Sequence, residues 1–116
     1  MTDVKIKVNQ ETSTTWNNEM LKAINVAREF LLPGRDVHVK LCAKGLAVVE
    51  SGIRCGVTDG ERMILPIEFE SIEVEENGWM VACKHGIYDI YDEQGTKFKG
   101  LSFLKKANAK KFAREL

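Results

Sequence analysis

Cys83 and His85 stand two residues apart in Ala-Cys-Lys-His-Gly. On a strand, residues i and i+2 project from the same face, so this thiol and imidazole would be neighbours. Such a pair could act as nucleophile and base, or supply two ligands to a zinc ion. His38 and Cys42 offer a second thiol and imidazole on one strand face. A zinc site needs four converging ligands, or three and a water, and the chain has no Cys-x-x-Cys or His-x-x-x-His pair. No helix N-terminus or cation is evident beside Cys83 to depress its thiol pKa. Small cysteines buried in strands explain these residues more simply, so neither a metal nor cysteine catalysis is expected.

Glu68, Glu70, Glu73, Glu75 and Glu76 could supply a pair of carboxylates for acid–base work. Glutamates on the wet face of an edge strand need no further role, because they also deter edge-to-edge pairing. Neither the P-loop nor the dinucleotide glycine pattern is present. No catalytic, cofactor or metal residues are therefore expected. Binding chemistry is better represented. Lys105, Lys106, Lys110, Lys111 and Arg114 could meet phosphates, and Trp79 and Tyr88, if exposed, could stack on bases or fill a partner's pocket.

These residues must be positioned by ordinary elements. Val4, Ile6 and Val8 alternate with lysines, as in a half-buried strand. After a polar connector, Thr15 can cap a helix running to about Leu32, where Pro33-Gly34 stops it. Its apolar stripe is Trp16, Met20, Ala23, Ile24, Ala27, Phe30 and Leu31. A strand over Val37–Cys42 follows. Short strands are then expected at Leu46–Val49, Arg54–Thr58 and Glu61–Leu65, with a turn at Asp59-Gly60 and a stop at Pro66. Phe69, Ile72 and Val74 read as partial burial in an acidic segment.

A second copy follows at an offset of 33: Gly45 matches Gly78, Val48 matches Val81, Val57 matches Ile90, and Asp59 matches Asp92. Two extra residues in the second turn bring Gly60 onto Gly95. The tail predicts an amphipathic helix over 101–116, with Leu101, Leu104, Ala109, Phe112 and Leu116 on one side and the basic residues on another.

In this order of residues the chain resembles the WG β-repeat family. The features that carry the resemblance are Gly45, Leu46–Val49, Gly56-Val57, Asp59-Gly60, Met63–Leu65, Pro66, Phe69 and Ile72, then Gly78, Trp79–Ala82, Tyr88, Ile90, Asp92 and Gly95. The Trp-Gly slots hold Cys55-Gly56 and Tyr88-Asp89, and the second copy shows no closing proline and aromatic. The resemblance implies a scaffold or interaction module without catalytic residues. About three units are usually needed to bury a continuous core, so flanking elements must cover these two. The Trp16 helix is the expected filler of the space at Cys55.

The bulk numbers fit this picture. A chain of 116 residues, 44% apolar and 29% charged, can bury one core without staples. Its net charge of zero argues against general nucleic-acid binding. That zero conceals a net +2 over residues 1–49, −6 over 50–76 and +4 over 77–116. The acidic middle and basic tail can pair within one fold or between subunits. Three cysteines in no disulfide pattern, no apolar leader and no run of ~20 apolar residues point to a soluble protein of the reducing cytoplasm.

The resulting expectation is a single α+β domain. A strand–helix–strand lead-in spans 1–43, two hairpin-type units forming an antiparallel sheet span 44–98, and a basic amphipathic helix spans 99–116. The expected function is a non-enzymatic protein–protein interaction module of a small cytoplasmic bacterial or phage type, able to self-associate, with no membrane contact. Its candidate contacts are Trp79, Tyr88, Glu68, Glu70, Glu73, Lys106, Lys110 and Arg114. The alternative is a nucleic-acid accessory protein using the basic C-terminal helix.

Overall fold

The computed structural model describes the backbone of residues 2–5 and 14–116 and the side chains of residues 18–116. The architecture is α+β. Strand β1 (Thr2–Lys5) and helix α1 (Thr14–Arg28) precede β2 (His38–Leu41), β3 (Ala47–Ser51), β4 (Arg54–Thr58) and β5 (Met63–Phe69). Strands β6 (Ser71–Val74), β7 (Met80–Lys84) and β8 (Ile87–Tyr91) and helix α2 (Lys106–Arg114) complete the chain. The strands form two antiparallel sheets rather than one, ordered β1-β2-β3-β4-β5 and β6-β7-β8.

The repeat is longer than the glycines reveal. Adding 33 to β2, β3 and β4 gives the bounds of β6, β7 and β8. The register is the same as well: His38 pairs with Glu50 and Leu41 with Ala47, as Ser71 pairs with Cys83 and Val74 with Met80. The connecting loops agree, since Cys42 N–H donates to Leu46 O at 2.8 Å and Glu75 N–H donates to Trp79 O at 2.8 Å. Even the last strand has a remnant. The Cys55–Phe69 and Thr58–Met63 pairs of the first unit are echoed by isolated bridges Tyr88–Phe103 and Tyr91–Lys97. Phe103 is thus the closing aromatic of the second copy, displaced by one residue from the 33-residue offset.

Each unit has a front and a back. The front of the first carries Leu46, Val48, Cys55, Val57 and Phe69, and it packs on Ile72, Met80 and Ala82 from the back of the second. The back of the first, with Val39, Ala47 and Val49, is covered by Ala23, Ile24 and Ala27 of α1. The front of the second, with Val81 and Ile90, is covered by Ala109 and Ala113 of α2. The order of layers is therefore α1, sheet, sheet, α2. Both faces of the inner strands are buried, which is why β7 reads as a continuous apolar run, Met80-Val-Ala-Cys83, rather than an alternation.

Several sequence expectations change in detail. Helix α1 ends at Arg28, not Leu32: the next amides bond back three residues, as Phe30 N–H does to Ala27 O at 3.0 Å, and this tighter turn swings Phe30 off the stripe into solvent. Helix α2 starts at Lys106, not Leu101, because Phe103 exchanges both backbone hydrogen bonds with Tyr88 (2.8 and 2.9 Å) and cannot also be helical. Its buried face is Ala109 and Ala113, while Leu104 and Leu116 are exposed. Strand β5 starts at Met63 and continues through Pro66, which is exposed at a break in the β4–β5 register. A proline is tolerated there because a bulge asks no ladder donor of it.

Phe69 and Ile72 are fully buried, not partly. The Cys55 space is filled by Phe69 and Ile72 from the inter-sheet core, on the opposite face from α1. Thr15 lies inside α1, which already begins at Thr14, and so is not its cap; the Trp16 side chain, Ile6 and Val8 lie outside the described residues.

Candidate functional site

The acidic middle and basic tail meet on the front of the second unit. Alternation along β6 and β7 puts Glu73 on the same face as Val81, towards α2. Its two oxygens take Lys110 Nζ, at 2.5 Å, and Lys106 Nζ. One turn further along, Arg114 Nε donates to Glu75 at 2.9 Å. Asn77 Nδ2 donates to Ala113 O at 2.9 Å, satisfying a carbonyl at the C-terminal end of α2, while its own oxygen accepts Trp79 N–H at 3.1 Å. Burial pushes the Glu73 carboxyl upward, but the hydrogen bonds and charges of Lys106 and Lys110 outweigh it and hold its pKa below the ordinary value. Lys106 is raised, foremost by its hydrogen bond to Glu73.

An aromatic wall completes the seat of α2. Phe112 lies edge-on to Phe98 at 5.2 Å and tilted against Phe103 at 5.6 Å, and Phe98 meets Trp79 at 6.1 Å. Trp79 and Tyr88, expected as exposed contacts, are half-buried members of this cluster. Glu73, Lys106, Lys110 and Arg114 are engaged with one another or with Glu75, so the charged face serves the fold itself.

The other candidates occupy the turn between β7 and β8. Lys84 pairs with Ile87, leaving a two-residue loop of His85 and Gly86, both with positive φ (55° and 76°). That conformation closes a hairpin with the right twist. Glu70 supports the turn: one oxygen accepts His85 N–H at 3.0 Å and the other lies 3.6 Å from Cys83 Sγ. The His85 amide is the foremost cause holding Glu70 below its usual pKa. The Cys83 thiol is thus directed at a carboxylate, not at the His85 ring. Its cross-strand neighbour Tyr88 has its hydroxyl pKa raised, first by the charge of Cys83 and then by a hydrogen bond to it. Glu68 pairs with Lys84 at 3.2 Å, both well exposed, and Lys84 also sits 4.9 Å above the Phe69 ring.

His38 bonds Glu50 at 3.0 Å, while the Cys42 thiol donates to Lys40 O at 3.4 Å. The two residues are separated by most of a strand, roughly 13 Å at about 3.3 Å per residue. Among the described residues, no three His, Cys, Asp or Glu side chains converge as a metal site would require. A cleft of about 240 Å3 between α1 and the turns at Gly45 and Gly60 is lined by Glu19, Lys22, Cys42 and Asp59. It is below the roughly 300–1,000 Å3 of typical small-molecule sites.

Three strongly exposed apolar residues at one end of the first sheet are not among the expected contacts: Phe30 is expected in the buried stripe, Leu32 at the helix end, and Ile53 has no expected role. Phe30 (64% exposed) and Leu32 (69%) follow α1, and Ile53 (82%) tips the β3–β4 hairpin. The segment after α1 returns to this hairpin, with Arg35 reaching the Gly52 side of the tip and His38 bonding Glu50 next to it. An isoleucine in a two-residue turn was the legible signal, because turn positions ordinarily carry polar or small residues. Among the described residues, no helix is long and apolar enough to cross a membrane. No protein-family model, curated protein or solved structure matches the chain.

Proposed function

We propose that this protein is a non-enzymatic protein–protein interaction module whose contact surface is the apolar end formed by Phe30, Leu32 and Ile53. The observation that carries the reading is the exposure of these three side chains at one end of a sheet whose other apolar residues are largely buried. Single exposed apolar side chains are ordinary, whereas three at the end of one sheet are candidates for an association surface. Arg35, Arg54 and Glu50 around them supply the polar rim typical of such surfaces.

The resemblance to the WG β-repeat family supports a scaffold role. So does the use of Glu70, Glu73, Cys83 and His85 in holding turns and α2 rather than in a shared reactive centre. Three cysteines without a disulfide suit the reducing cytoplasm of a bacterial or phage-infected cell. The nucleic-acid alternative draws less support, because Lys106, Lys110 and Arg114 already face carboxylates.

The test is sedimentation of the wild type and of Ile53→Lys across a wide concentration range, with affinity capture from a bacterial lysate beside it. Central interface anchors typically contribute more than about 1 kcal/mol, so Ile53→Lys should shift self-association or partner capture at least fivefold. Identical behaviour of the two proteins in both assays would sink the proposal.

A further inference from the structure

We propose that α1 and α2 are end caps that keep this chain from stacking head to tail with further copies of itself, and that the front of the second unit is a docking face for the back of a first unit. These faces do not involve Phe30, Leu32 or Ile53.

The two units share one register. Because β2–β4 and β6–β8 pair in the same register at an offset of 33, each front residue of one unit has a counterpart in the other. Leu46, Val48, Cys55, Val57 and Phe69 correspond to Trp79, Val81, Tyr88, Ile90 and, one residue later, Phe103. In the first unit this face receives a whole sheet, through Ile72, Met80 and Ala82. Their counterparts on the back of the first unit are Val39, Ala47 and Val49. The contact between units is thus heterologous, front to back, and its geometry can be continued at both ends. Only the helices stop it.

The covers differ in extent. Under a sheet, Leu46, Cys55 and Phe69 are fully buried. Under the nine-residue α2, their counterparts Trp79, Tyr88 and Phe103 are only half-buried. A helix narrower than the sheet it replaces leaves the edge of the front face uncovered. It is held there by a rim of charge, Lys106 and Lys110 on Glu73 and Arg114 on Glu75, which a partner's apolar back face would not need. Repeat arrays with an open end of this kind depend on a polar capping element for solubility.

The test uses full-length chains opened at one end each. Ala109→Glu with Ala113→Glu places carboxylates where α2 meets Val81 and Ile90, and Ala23→Glu with Ala27→Glu does the same for α1 on the first sheet. Hydrogen exchange over 106–114 or 14–28 shows release of the helix, and protection of the strands shows that the sheets persist. Each variant alone should keep the wild-type mass, because its complementary end stays capped. An equimolar mixture should give a 1:1 complex of twice that mass, and a chain carrying all four substitutions should form a concentration-dependent ladder. An excess of a peptide of residues 104–116 should dissociate the mixed complex by reclaiming the front face.

A mixture that stays at the wild-type mass with both helices released and both sheets protected would overturn the proposal. So would equal association of the α2-released variant with itself. If the double substitution in α1 costs the strands their protection, Ala27→Glu alone replaces it, with the same outcomes. The charge reversal Lys106→Glu, Lys110→Glu and Arg114→Glu provides a second way to release α2. Adding Glu73→Lys and Glu75→Lys to it should restore the capped state.

Discussion

Gly56 lies beneath the carbonyl of Pro66 so closely that a Cβ would sit 2.7 Å from that oxygen, and 2.6 Å from the oxygen of Leu65. The bulge at Pro66 and the glycine at 56 are therefore one feature: the strand can bend inward only because its neighbour has no side chain there. Gly56→Ala should destabilise the fold by about 1–3 kcal/mol, the usual range for overpacking, since backbone rather than a flexible side chain must yield. Urea denaturation with an unchanged m-value would register it, and a midpoint equal to wild type would contradict the coupling.

Glu73 holds two cations of α2, so its removal should be felt locally. Glu73→Gln is expected to speed amide exchange across 106–114 several-fold and leave the first sheet unaffected. The loss should be on the order of 1 kcal/mol, because the lysines remain partly hydrated. High salt should reproduce part of the effect in wild type.

The same carboxylate sets a pH dependence. Its folded pKa is lowered, so its contribution is present above the ordinary glutamate value near 4.3 and is lost as pH falls through the folded value. Lys106 is shifted the other way, so its contribution is present below its ordinary value near 10.4 and disappears as pH rises through the raised one. Docking of α2, followed by Trp79 fluorescence, should be flat between these limits and weaken at both. Wild-type acid loosening that persists unchanged in Glu73→Gln would assign it to another group.

Cys55 should behave as an inert thiol. Burial first, then the Glu50 carboxylate opposite it on β3, push its pKa up to about 11. Alkylation by iodoacetamide at pH 8 should therefore require unfolding, and the labelling rate should rise with urea in step with the loss of structure. Stability should also fall as pH rises from about 9 towards 11, because only the unfolded chain ionises the thiol there. Rapid labelling of Cys55 in the native protein would show that the inter-sheet core is more open than described.

Much of the scaffold was legible because turns carry punctuation. Asp59 accepts the amides of Glu61 and Arg62, and Asp92 those of Gln94 and Thr96, so both turns announce themselves by an aspartate and a glycine. What the sequence hid has physical causes. His38–Leu41 and Ser71–Val74 share only an alternation of apolar residues, with no glycine to align them, so the first strand of each unit went unpaired in the repeat. Phe103 was hidden by one inserted position, and its use of backbone in a bridge cut the C-terminal helix short. The division into two sheets was invisible because fully buried strands give the same apolar runs whether they stack or lie side by side. Trp79 and Tyr88 looked free for the same reason that Glu73 and Lys110 did: no local pattern reveals a partner 37 residues away.

The order of the strands also governs how the chain reaches this structure. Within each sheet, β2 to β5 and β6 to β8 pair with their neighbours in sequence, and only β1 must wait for the α1 segment to pass before it can join β2. A topology so rich in local pairings has a low contact order for a β-protein and little loop-closure entropy to overcome. The hairpins of each sheet can therefore form from local pairings, and the closing step is the packing of one sheet's front on the other's back.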